Sequence, residues 1–110
     1  MFNPDLISAL TVLSKTRTEE GYVERQEALL QHLPGEYDQL VDIAYDAEDS
    51  SIRIEALELV ALAAKDDSRT VLSDSMKADP DPVVQKHSEG LLFRAIVNEN
   101  IRKHLLRAAH

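Results

Sequence analysis

The chain contains no cysteine. Disulfides, thiol nucleophiles and thiolate metal sites are therefore excluded. Tryptophan is absent and aromatic residues make up 5% of the 110 positions. A core must then be assembled from Leu, Ile, Val and Ala, a mixture that suits packed helices better than a β-sandwich. Only three glycines occur, Gly21, Gly35 and Gly90, and they form no phosphate-cradling loop. No apolar run approaches the roughly 20 residues of a membrane-spanning helix. The opening Met1-Phe2-Asn3-Pro4-Asp5 lacks the basic-then-apolar order of a signal peptide. These absences point to a cytoplasmic chain without a membrane partner, organised as a single domain over 1–110.

Positive charge is also scarce, with 12 Lys and Arg against 20 Asp and Glu, a net charge of −8. The imbalance is uneven. Residues 1–81 carry seven Lys/Arg against eighteen Asp/Glu, and residues 82–110 carry five against two. The acidic body repels nucleic acid and anionic membrane and attracts a basic partner. The basic end complements a helix C-terminus.

What is present is helical periodicity. Leu6, Ala9, Leu10 and Leu13 follow Asn3-Pro4, a cap and a first-turn proline, so a helix is expected over about 4–15. Thr16 and Glu19 have capping-box spacing and open a second helix with Tyr22, Val23, Leu29, Leu30 and Leu33 as its apolar positions. Pro34-Gly35 ends it. A third helix, about 36–47, carries Tyr37, Leu40, Val41, Ala44 and Tyr45. Asp49 or Ser50 caps a fourth, with Ile52, Ala56, Leu59, Val60 and Ala63 along one stripe. Ser68 or Asp67 caps a fifth, with Val71, Leu72 and Met76. Asp81-Pro82 starts the last, which carries Val84, Ser88, Leu91, Leu92, Ala95 and Ile96. It either runs on through Ile101, Leu105 and Leu106 or breaks at Asn98. The total is six or seven helices and no strand.

Catalytic and metal signatures are missing. His32, His87, His104 and His110 have no metalloprotease spacing. His87 and Ser88 are sequence neighbours, which do not face each other on a helix. Asp46-Ala47-Glu48-Asp49 starts like a calcium loop but lacks its glycine and its closing Glu, Leu57 standing there. Paired carboxylates such as Glu24/Glu27 and Glu55/Glu58 read as solvated helix faces, not as acid–base pairs. No enzyme, cofactor, metal or small-molecule substrate is expected. Gly90, inside the last helix, reads first as a point of close helix packing and second as a dent for a partner's side chain.

Self-comparison reveals a repeat. Residues 49–60 align with 81–92 at an offset of 32, pairing Asp49 with Asp81, Ile52 with Val84, Ala56 with Ser88, Leu59 with Leu91 and Val60 with Leu92. The preceding helices align at the same offset, Leu40 on Leu72 and Ala44 on Met76. Asp81-Pro82, Val84, Gln85, Ser88 and Leu92, with Asp49-Ser50, Ile52, Arg53, Ala56 and Val60, resemble the HEAT repeat over about 36–97. That motif has an Asp-Pro turn, an aliphatic, an Arg, a small residue and an aliphatic. Ser50 and Gln85 depart from it, and residues 3–33 match it poorly.

The resemblance implies an all-α fold, a right-handed stack of antiparallel helix pairs forming a short HEAT-like α-solenoid. It also implies a bond between Asp79 and Arg53, and a partner-binding face on the second helix of each pair. On that face would lie Glu24, Glu27 and Gln31 of the second helix, Glu55, Glu58 and Leu62 of the fourth, and His87, Gly90 and Arg94 of the sixth. The expected function is an adaptor that holds a basic protein or peptide in an acidic groove. The alternatives are a small acidic inhibitor or immunity protein that blocks a basic toxin or nuclease site, and nucleic-acid binding through Arg94, Arg102, Lys103 and Arg107 of the basic C-terminal helix.

Overall fold

Six α-helices and no strand make up the described part of the computed structural model, which covers residues 2–32 and 35–108. Helix α1 spans Pro4–Lys15, α2 Tyr22–Gln31, α3 Tyr37–Asp46, α4 Ser50–Ala63, α5 Ser68–Ala78 and α6 Pro82–Ala108. The expected positions Leu33 and Pro34 lie outside the described residues, as does His110.

Caps follow the sequence signals at three of the starts. Asn3 Oδ1 accepts the Asp5 N–H at 2.9 Å, Asp49 Oδ1 that of Ser51 at 2.8 Å, and Asp81 Oδ1 that of Val83 at 2.8 Å. Each satisfies an amide that the first helical turn leaves free. At α5 the work is divided. Asp67 occupies the cap position without a side-chain bond, and the buried Ser68 accepts from Lys65 N–H and donates to the Val60 carbonyl at 2.8 Å. The capping box expected at Thr16 and Glu19 does not form. Thr16 ends α1, its hydroxyl bonding back to the Val12 carbonyl, and α2 begins only after Gly21 in the left-handed conformation, φ 86°. With one helix over Pro82–Ala108, α6 does not break at Asn98.

The chain folds around α4, which packs against α1, α2, α3, α5 and α6. This corrects the expectation of a single apolar stripe on α4. Leu57, Glu55 and Arg53 are buried beside the expected Ala56, Leu59 and Val60. Ile43 of α3, missed by the stripe read from the sequence, is wholly buried. The α3/α4 and α5/α6 hairpins lie side by side, α3 against α5 and α4 against α6. In both hairpins the small residue of the repeat, Ala56 or Ser88, has no exposed surface. The first two helices differ. α1 packs more extensively on α4 than on α2, and Gln26 is the sole buried residue of α2.

Arg53 ties the two hairpins together. Its Nε and one terminal nitrogen reach the two Asp79 carboxylate oxygens at 2.9 and 3.1 Å, and its other terminal nitrogen donates to the carbonyls of Ala47 and Glu48. The Asp79 bond is the one the sequence resemblance implies. At its far end α6 leaves the body, and every residue from Asn100 to Ala108 is exposed. A helix of 27 residues is about 40 Å long, and it accounts for the 47 Å long axis of the molecule.

Candidate interaction groove

Helices α2 and α6 both pack on α4, and their backbones stand apart from each other. The space between them is a cleft of about 280 Å³. Its floor is the last turns of α4, Glu58, Ala61 and Leu62. One wall is Val23 and Gln26 of α2, and the other is Leu91, Arg94, Ala95 and Asn98 of α6. Leu62 is 44% exposed and Val23 55%, so the cleft offers open apolar surface beside polar rims.

The expected site residues divide four ways. Glu58, Leu62 and Arg94 line the cleft. Glu24, Glu27 and Gln31 are exposed but not among its lining, because the α2 wall is Val23 and Gln26, a position or so round the helix from the expected set. Glu27 follows Val23 by one turn and so stands on the rim. His87 and Gly90 lie along a second, shallower depression of about 600 Å³ formed by α6 alone, with Pro82, Val83, Lys86 and Arg94. A Cβ at Gly90 would meet nothing within 4 Å. Close helix packing is therefore not what that glycine permits, and the dent is what it leaves.

Glu55 is the clearest correction. Expected on the open face, it has no exposed surface. Arg17, in the turn after α1, reaches its Oε1 at 2.6 Å, and the Tyr22 hydroxyl donates to its Oε2. Tyr22 in turn accepts from Gln26 Nε2 at 3.1 Å, and the Arg17 guanidinium lies 5.6 Å from the Tyr22 ring centre. Burial makes a solitary carboxylate costly, so the charge is met by a cation and a phenol at once. These partners are 38 and 33 residues away, and no local spacing announces them.

The network continues into the groove. Arg17 also reaches Glu58 at 3.3 Å, and His87 Nε2 lies 2.6 Å from the same Glu58 oxygen. Burial pushes the Glu58 carboxyl up, but the His87 hydrogen bond and the Arg17 charge outweigh it and hold the group below its ordinary range. The groove is thus less acidic than expected. Its floor carboxylate is already paired, and of the expected α2 acids Glu27 stands at the rim, one turn from Val23, while Glu24 lies on the side of Val23 away from Gln26. On the opposite side α6 contributes Arg94.

No family model, curated protein or solved structure matches the chain. Among the described residues no helix is long and apolar enough to cross a membrane, and no group of three or more His, Asp or Glu could hold a metal ion.

Proposed function

We propose that this chain is a HEAT-like, right-handed stack of helix pairs that serves as a cytoplasmic protein-interaction module, not as an enzyme, and that its α2/α4/α6 groove takes a helical segment of another protein. Support for the stacking comes from the 32-residue offset of the two hairpins, from α3 lying on α5 and α4 on α6, and from the Arg53–Asp79 bond between the hairpins. The observation that carries the binding site is the gap between α2 and α6, which leaves Leu62 and Val23 open beside a charged rim. An apolar side chain from a partner helix would seat on Leu62 and Ala61, and Lys or Arg next to it would meet Glu27 on the α2 rim.

Fluorescence anisotropy with a labelled synthetic amphipathic helix bearing Leu anchors and a Lys/Arg flank tests this. Binding is expected to weaken about tenfold on Leu62→Asp, the loss of an anchor contact. Glu27→Lys should also weaken it and flatten its salt dependence. Equal affinity across these variants, or equal affinity for an acidic peptide of the same apolar pattern, would remove the groove as the site.

A further inference from the structure

We infer that the exposed face of α6 between Pro82 and Arg94 is a second docking surface, and that its occupant is an acidic amphipathic helix of another protein, packed along α6 over Gly90. This surface is independent of the α2/α4/α6 groove, with which it shares Arg94 alone.

The first observation is the relief of the helix. Val83, Lys86, His87 and Gly90 stand at i, i+3, i+4 and i+7, and all four line the α6 depression. Four residues at that spacing form the hole into which a partner helix inserts one side chain. At Gly90 the corner of that hole has no side chain, and a Cβ there would meet nothing within 4 Å. The opposite corner, His87, is held by its bond to Glu58 at 2.6 Å. From Pro82 to Arg94 the helix rises about 18 Å, room for three turns of a partner.

Exposure is the second. Val83 is 65% exposed, and Phe93, three residues past Gly90, is 67% exposed. Either alone carries little meaning. On both sides of an open dent they are the ridges that a helix seated in it would touch.

Charge names the partner. Lys86 and Arg94 line the depression one turn to either side of Gly90. Neither forms an ion pair among the described residues. No Asp or Glu is in the lining. The acids nearby are engaged or turned away. Asp81 caps α6, Glu58 is paired with His87 and Arg17, and Glu89 lies on the side of Lys86 away from Gly90. A chain of net charge −8 thus shows a positive sign here, and over about 10 Å at 0.1 M salt the local sign decides. An apolar side chain would enter the dent, and Asp or Glu one turn before and after it would meet both cations. A nucleic acid or an anionic membrane would be opposed by the whole acidic body and has no apolar side chain for the dent.

Fluorescence anisotropy with a labelled synthetic helix bearing one Leu per heptad and Glu on both flanks tests this. With one dent and two cations, the face should hold it more weakly than the groove holds the basic helix. Gly90→Leu should weaken binding about tenfold while raising the urea midpoint, since leucine fills the dent and is the better helix former. Lys86→Glu should weaken it about tenfold and flatten its salt dependence. Leu62→Asp should leave it unchanged. Unchanged binding in Gly90→Leu or in Lys86→Glu, or equal binding of the same helix with Lys flanks, would overturn the inference. So would Lys86-dependent binding of a single-stranded oligonucleotide or of phosphatidylserine vesicles by a chain that ignores the acidic helix. Gly90 and Lys86 lie outside the groove and Leu62 outside this face. Failure of the first two variants therefore leaves the groove standing, and a basic helix that ignores Leu62→Asp leaves this face standing.

Discussion

Two residues stand in places that suit each other better. Ala64 closes α4 in the left-handed conformation, φ 51°, where a Cβ crowds the backbone and glycine is the usual solution. Gly90 lies inside α6 with open space where its side chain would be, a position at which glycine adds only chain entropy to be lost on folding. Ala64→Gly is expected to stabilise the fold by about 0.5–1 kcal/mol, and Gly90→Ala by about 1 kcal/mol. Urea titrations should show both as a higher midpoint with an unchanged slope. A loss of stability in Gly90→Ala would mean that the dent is filled by something in solution.

At the scale of helices, Arg53 joins what the chain separates. It holds the turn before α4 through two carbonyls and the turn before α6 through Asp79. Arg53→Ala would leave a buried carboxylate and two carbonyls without their donor, a loss expected at about 3–5 kcal/mol. Arg53→Lys keeps the charge but not the planar fork and should fall between. Thermal unfolding of both variants beside Asp79→Asn checks this. If Arg53→Ala cost no more than an exposed substitution, the bond would not hold the hairpins together.

The same helices show what their sequence could reveal. Starts marked by a short polar residue at the right distance, Asn3, Asp49 and Asp81, are legible because capping is local chemistry. So is the repeat, since each hairpin must present the same small residue to its neighbour. The start of α2 was not legible. Thr16 and Glu19 have the spacing of a cap, yet the chain is still turning out of α1, and only Gly21 can make the reversal. Ile43, Leu57 and Glu55 were missed for one common reason: periodicity assumes that a helix has one covered face, and α3 and α4 are covered on more. The groove inherits the same error. Its α4 and α6 members Glu58, Leu62 and Arg94 were legible, but the α2 wall was displaced to Val23 and Gln26, because the depth to which α2 is rolled against α4 is set by Tyr22 reaching Glu55, a contact between distant parts of the chain.

Over the whole molecule one device recurs. All three tyrosines donate their hydroxyl to a carboxylate on another element. Tyr22 reaches Glu55 from α2 to α4, Tyr37 reaches Asp67 at 2.7 Å from α3 to the start of α5, and Tyr45 reaches Asp74 at 2.9 Å from α3 to α5. An ionised phenol would have no proton to give and would face a like charge. Burial first, then the carboxylate partner, pushes the Tyr22 phenol well above its ordinary value of 10.0. The same causes raise Tyr37 and Tyr45 to about 12. In all three the folded state holds its proton more tightly than the unfolded chain does. Stability is therefore unaffected below pH 10 and declines as pH rises from about 10 toward 12, where the unfolded chain has released protons that the folded one retains. With no tryptophan in the chain, phenolate absorbance reads the three groups without interference. In the native protein it should stay low past pH 10 and then rise together with the loss of helical dichroism, while in denaturant it should titrate near 10. Tyr37→Phe and Tyr45→Phe should each shift the alkaline unfolding midpoint upward. Native phenols that titrate at 10 with the helices intact would show that these bonds do not hold the helices in solution.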